Sequence, residues 1–336
     1  MVSVCKPLQL HALFSKKTKA ANQLLSKLSQ TDHCYMGAFV DDLTVSGDMP
    51  LLTTVQDLNY YAQLSGHPVT IANFFQAFSY GGKVYPYPTQ AMNEFKRYGA
   101  IPLVTLEPWD WDPKHPDHSR TLLHDILAGR WDAWLDDMAL GFKDYRQPVL
   151  LRWAHEMNGD WYPWCGIANH DSAQTYIKTW RYVHRRMTRA GAHNVLWVFC
   201  PNSNSVPNTE WNKSIHYYPG DAYVDIIGVD TYNFGEPDER SFAKTIAEFD
   251  ATYRQHWAKK PLIIPEIGVA NAAKNPAQWI TETFGSLKNT YPEIRAVLWF
   301  HMNDRKNQDF RIDQSAVMLT AYQQAIEVDY FSGTLP

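Results

Sequence analysis

From residue 34 onward, short apolar segments alternate with longer segments of helical period, and this alternation restricts the chain to parallel-sheet architectures built from βα units. The apolar segments are CYMGAFV (34–40), VTIANFF (69–75), IPLVTLEP (101–108), PVLLRWAHE (148–156), VLWVFCPN (195–202), VDIIGVDTY (224–232), PLIIPEIGV (261–269) and AVLWFHM (296–302). Helical patterns fall at 53–64, 89–98, 131–145, 173–190, 242–257 and 276–289, with a last one from Ser315 to about Val328. Only the stretch between the fifth and sixth strands (NSVPNTEWNKSIHYYPGD) reads as irregular, with a weak or short helix. Eight strands separated by helices close naturally into a (β/α)₈ barrel. An open doubly wound sheet is the alternative, but no glycine-rich phosphate turn follows the first strand.

At 336 residues the chain could hold two domains or one barrel with loop insertions. No linker rich in Pro, Gly or Ser divides it, so one barrel domain is expected over 34–331. Residues 1–33, with Lys16, Lys17, Lys19 and an amphipathic segment around Leu24, Leu25 and Leu28, form a helical lead-in. A formal charge of −4 gives no basic field for nucleic acid, and no apolar run is long enough to span a bilayer. Cys5, Cys34, Cys165 and Cys200 match no zinc or CxxC spacing; Cys34 and Cys200, in predicted strands, read as buried thiols.

In a barrel of this kind everything at the C-terminal ends of the strands faces one cleft. The polar residues there are Glu107, His155, Glu156, Asn202, Asp230, Tyr232, Glu266 and His301, with Trp299 beside them. Two carboxylates stand out. Glu156 ends a buried strand beside His155 and Asn158 and before an aromatic lip, GDWYPW; Glu266 follows the apolar run LIIP. Carboxylates on the fourth and seventh barrel strands face each other across a narrow cleft, and a pair about 5–5.5 Å apart is the geometry of a retaining glycosidase. Unequal burial and mutual repulsion separate their proton affinities. Glu156 is therefore read as acid/base and Glu266 as nucleophile, with Tyr232 donating its hydroxyl to Glu266 and Trp299 forming a floor for the reacting sugar. The structural alternative pairs Glu156 with Arg152, four residues back on the same strand face.

The 13 Trp, 19 Tyr and 15 Phe exceed the needs of a core. Several, including Trp109, Trp111, Trp161 and Trp164, cluster near strand ends, where flat apolar faces suit sugar rings. Glu107, in TLEPWDW, is assigned to structure or sugar binding; Asp110, Asp112, Asp117 and His118 lie in a loop read as solvated. His155, Glu156, Asp230, Glu266 and His301 could all point inward at a metal, but none forms an HxH or HExxH pair, and neither a metal nor an organic cofactor is expected. His184 and His256 fall in helical patterns and read as surface or packing residues.

The run RWAHEMNGDWYPW resembles the acid/base strand of glycoside hydrolase family 26, and YPGDAYVDIIGVDTYN (218–233) and KPLIIPEIGV (260–269) agree in order and spacing. The resemblance implies a (β/α)₈ barrel with catalytic glutamates on its fourth and seventh strands. It implies acid/base and nucleophile roles for Glu156 and Glu266, and substrate-binding roles for His155, Trp161, Tyr232 and Trp299. Trp109, Asn202 and Glu107 join them as cleft residues. The activity implied first is endo-β-1,4-mannanase, acting on mannan, glucomannan or galactomannan. Typical mannanases of the family carry a Trp-His pair where this chain has Glu107, Pro108 and Trp109, and the WYPW lip is similar to that of members cutting mixed-linkage β-1,3-1,4-glucan. A non-catalytic carbohydrate-binding barrel is the reading from another class. A monomer acting outside the cytoplasm, secreted or periplasmic, is expected, although MVSVCKPLQLHALFSKK does not read as a signal peptide.

Overall fold

The computed structural model describes residues 17–41, 53–110, 122–170, 172–237, 239–303 and 308–335. Cys5, Trp111, Asp112, Asp117 and His118 lie outside them. The strands are β1 (Tyr35–Val40), β2 (Ile71–Tyr80), β3 (Lys83–Val84), β4 (Ile101–Asp110), β5 (Val149–Trp153), β6 (Val195–Phe199), β7 (Ile226–Asn233), β8 (Leu262–Val269) and β9 (Ile294–His301). All except β3 run parallel, and β1 pairs with both β2 and β9, which closes the sheet into the expected (β/α)₈ barrel. The short β3, absent from the sequence reading, folds back antiparallel on the extended end of β2.

The helices are α1 (Lys19–Gln30), α2 (Val55–Ser65), α3 (Thr89–Tyr98), α4 (Leu122–Leu127), α5 (Asp132–Tyr145), α6 (Gln174–Ala190), α7 (Phe242–His256), α8 (Pro276–Asn289) and α9 (Ala316–Ile326). Local chemistry sets their ends. Thr54 and Asp57 form a capping box on α2, Ser241, Asn275 and Ser315 cap α7, α8 and α9, and Pro276 opens α8. The irregular stretch after β6 contains three short 3₁₀ turns, Glu210–Asn212, Ser214–Tyr217 and Asp221–Tyr223, in place of a helix. His184 is buried on α6 between Trp197 and Tyr223, a packing role.

Side-chain alternation sorts each strand into an inner and an outer face. Inside, Ile71, Leu103, Leu150, Leu196, Ile263 and Leu298 fill the N-terminal half of the barrel. Ala21, Leu24 and Leu28 of α1 pack against this layer and close its floor, with Lys17 bonded to Val195 O and Asp225, both at 2.7 Å. At the closing strand, Gly37 leaves no room for a side chain. A Cβ there would lie 2.4 Å from the Ile71 carbonyl oxygen and 2.6 Å from Leu298 Cγ. Above the apolar floor the interior turns polar, beginning with Asn73, Thr105 and Arg152.

Candidate active site

Strand β5 ends at Trp153, three residues before the end predicted from sequence, and this early end determines where Glu156 goes. Ala154 and Glu156 both take left-handed backbone conformations, φ 46° and 53°, which cost a residue with a Cβ roughly 1–2 kcal/mol each. Surrounding bonds hold the turn. Ala154 N donates to Leu106 O (3.0 Å), Glu156 N to Cys200 O (2.8 Å), Tyr176 Oη to Ala154 O (3.1 Å) and Trp164 Nε1 to His155 O (2.6 Å). Strained backbone that is over-determined in this way is characteristic of functional sites. The turn carries Glu156 off the strand face it would have shared with Arg152, so the Arg152–Glu156 pairing does not form.

Arg152, with no exposed surface, instead donates Nη1 to Asp230 Oδ2 (2.6 Å) and Nη2 to Glu266 Oε1, while Thr105 Oγ1 accepts from Nε at 2.9 Å. Burial alone would lower its proton affinity; Asp230 and Glu266 outweigh that and raise it. Glu266 reaches Arg152 through a β-bulge. Ile264 and Ile267 both pack outward, three residues apart, and the register with β9 breaks between them. Against β7, the steps from Ile263 to Glu266 span only Gly228 to Asp230. The extra residue turns Glu266 inward beside Asp230. Tyr232 Oη donates to Glu266 Oε2 at 2.5 Å, so two donors address one carboxylate.

Glu156 stands in a different environment. Trp161 Nε1 donates to its Oε2 (2.8 Å) and Asn202 Nδ2 to its Oε1 (2.9 Å). Asn202 is itself held by Asn158, which accepts from Asn202 N and donates to Asn202 O, both at 2.9 Å. No cation touches Glu156 among the described residues. Burial, and then the charge of Glu266, push its carboxyl up to about 7. His155 is pushed well below the usual imidazole range by burial and by Arg152, and is neutral; its Nε2 lies 3.8 Å from Glu266 Oε1 and 3.2 Å from Tyr162 Oη.

An aromatic wall completes the cleft. Tyr162 stacks on Trp164 at 4.3 Å, and Trp109 meets both edge-on at 5.6 and 5.7 Å. Trp109 Nε1 donates to Glu107 Oε2 at 3.2 Å. Trp161, 41% exposed, forms the outer edge.

The barrel thus brings Glu107, Trp109, His155, Glu156, Trp161, Asn202, Tyr232 and Glu266 to one mouth. Trp299 is not there. Fully buried, it bonds Phe310 O through Nε1 (2.7 Å) and packs on Tyr322 of α9 and Phe284 of α8, on the outer face of β9. Alternation from Ala296 and Leu298, which face the interior, makes Phe300 the inward residue; it packs on Tyr232, Phe39 and Phe75. His301 likewise faces outward, against Tyr61 at 5.1 Å. Ligand atoms of His155, Asp230 and Glu266 lie within 4.8 Å of one another, but the Arg152 guanidinium already bridges the two carboxylates, and a cation there would sit against a fixed positive charge. Sequence reasoning passed over Arg152 as partner of Glu266, Phe300, and the Tyr162 hydroxyl. Counting inward residues along β9 would have found Phe300.

A (β/α)₈ barrel with two buried glutamates of unlike environment at the C-terminal mouth, walled by tryptophans, has the architecture on which glycosidic bonds are cleaved. Glycosyl hydrolase family 26 matches residues 98–301, and the chain belongs to that family. Endoglucanase H of Acetivibrio thermocellus is 34% identical over 274 residues, covering 79% of this chain and 28% of that protein. Mannan endo-1,4-beta-mannosidase A and B of Caldalkalibacillus mannanilyticus is 30% identical over 185 residues, 52% of this chain and 32% of that protein. The chain therefore spans less than a third of either relative. Among solved structures, the catalytic domain of the Bacillus sp. JAMB-750 endo-beta-1,4-mannanase superposes with a TM-score of 0.73 at 20% identity, covering 94% of this chain and 91% of that one, a likeness of fold.

Proposed function

We propose that the chain is a retaining endo-β-1,4-glycanase in which Glu266 attacks the anomeric carbon and Glu156 gives its proton to the departing glycosidic oxygen. In the second half-reaction Glu156 takes a proton from water, the resulting hydroxide displaces Glu266 from the sugar, and both carboxyls return to their starting states. The observation that carries this reading is the unlike environment of the two glutamates. Glu266 receives hydrogen bonds from Arg152 and Tyr232, as an anionic nucleophile needs, whereas Glu156 has no cation partner among the described residues and holds a proton near neutrality. The neutral His155 adds no competing charge.

Mannan, glucomannan or galactomannan is the first substrate, supported by several relatives named mannanases. Mixed-linkage β-glucan is the second. Two observations favour it: Glu107, Pro108 and Trp109 at the cleft wall, and the named endoglucanase, whose match covers most of this chain. Polymers of this size do not cross membranes, which supports action outside the cytoplasm. The test is reducing-sugar release from galactomannan and mixed-linkage β-glucan in parallel, with Glu266→Ala as control. Release from either polymer, abolished in the variant, is expected; binding of polymer without release by the unaltered protein would instead establish a carbohydrate-binding barrel.

A further inference from the structure

Glu107 is a carboxyl that the two-glutamate mechanism does not use. It occupies the inward face of β4 two residues above Thr105, which contacts Asn73 and Arg152, and the β2–β4 register breaks directly after its pairing with Ala77. It is 3% exposed. Oε2 accepts the Trp109 indole N–H at 3.2 Å, and Oε1 has no hydrogen-bond partner among the described residues. The charged groups facing it are Arg152 and Glu156 from β5 and the turn after it, and Glu266 from β8, with the Tyr162 hydroxyl from the aromatic lip. Arg152 makes its hydrogen bonds to Asp230 and Glu266 rather than to Glu107; its charge opposes burial at Glu107, while Glu266 and Glu156 add to the effect of burial. A carboxylate there would be desolvated, served by one neutral N–H and repelled by its neighbours.

We propose that Glu107 is a further specificity-determining residue that works as a neutral carboxylic acid, anchored by Trp109 through one oxygen and donating its proton from the other to a hydroxyl of the bound sugar. This rests on the glycanase reading. Burial, opposed by Arg152 and reinforced by Glu266, pushes Glu107 up to about 8, which agrees with the geometry. A buried donor rejects a sugar whose hydroxyl points elsewhere, because the donor is then left unpaired. A neutral acid also forms this bond without adding a third negative charge beside Glu156 and Glu266.

The experiment compares Glu107→Gln and Glu107→Leu with the unaltered enzyme on the polymer it cleaves, from pH 5.5 to 9. Gln keeps an acceptor for Trp109 and a donor for the sugar, so kcat/KM is expected within about threefold of the unaltered enzyme at pH 6; Leu loses about tenfold or more. The activity of Glu107→Gln relative to the unaltered enzyme should rise as pH passes 8, where the native carboxyl loses its proton and the amide does not. The limb due to Glu156 is present in both enzymes, and fitting each profile with its own Glu156 ionisation isolates the further step due to Glu107. A Gln variant impaired at pH 6 as severely as Leu, a ratio independent of pH, or a Leu variant with unchanged kcat/KM would each overturn the proposal. If the Leu variant does not fold, the Gln ratio still decides. Turnover by the unaltered enzyme, abolished in Glu266→Ala, establishes the glycanase reading independently of any of these outcomes.

Discussion

In the proposed mechanism, replacing Glu156 by Gln removes the cleft carboxyl whose proton the first chemical step consumes, and the consequences for activity and stability can be worked out together. The carboxyl is pushed from 4.5 to about 7, by burial first and the charge of Glu266 second. A general acid must be protonated to act, so kcat/KM on polymer should fall above pH 7, roughly tenfold for each further pH unit. The same displacement corresponds to about 3 kcal/mol between the two protonation states. Because the folded state binds this proton more tightly than the unfolded state, the stabilisation is complete below pH 4.5 and is lost as pH rises toward 7. The Gln variant has no such loss and should gain up to about 3 kcal/mol relative to the unaltered protein between pH 4.5 and 8, read from urea unfolding at the two pH values. In turnover, the variant should lose at least about a hundredfold on polymer yet retain a first-step burst on an aryl β-glycoside whose leaving group needs no proton. Equal losses on both substrates, or a polymer profile flat above pH 7, would refute the assignment.

Three further outcomes follow from the geometry. Arg152→Met should strip Asp230 and Glu266 of their buried cation and cost about 3–5 kcal/mol, as measured by denaturant unfolding. Trp299→Phe should lower the melting temperature while leaving KM within about twofold, and Phe300→Ala should raise KM; the reverse pattern would return Trp299 to the cleft. Gly37→Ala should destabilise by roughly 1–3 kcal/mol or prevent folding, since its Cβ meets the Ile71 carbonyl where the barrel closes, and thermal unfolding checks it.

The barrel, its eight parallel strands and the bounds of most of its helices were legible because each depends on local chemistry, whereas α4 (Leu122–Leu127) was not read. Apolar runs and 3.6-residue periodicity act within a few positions of one another. Glu156 and Glu266 were legible for a related reason, since a carboxylate at the end of a buried strand is costly and rarely incidental. Partners were another matter. Arg152 lies four residues from Glu156 and 114 from Glu266, and local spacing offered only the near residue as its alternative partner; a left-handed turn at Ala154 and Glu156 together with a bulge before Ile267 gives Arg152 to the distant one. Trp299 was misplaced by one residue of strand parity, which rotates a side chain from the cleft to the helical shell. The sequence by itself determined the architecture and put two buried glutamates at the barrel's mouth, because periodicity and burial are properties of short segments. Only the tertiary structure decided which charge each glutamate meets, because a proton affinity depends on groups brought within a few ångströms by barrel closure, whatever their separation along the chain.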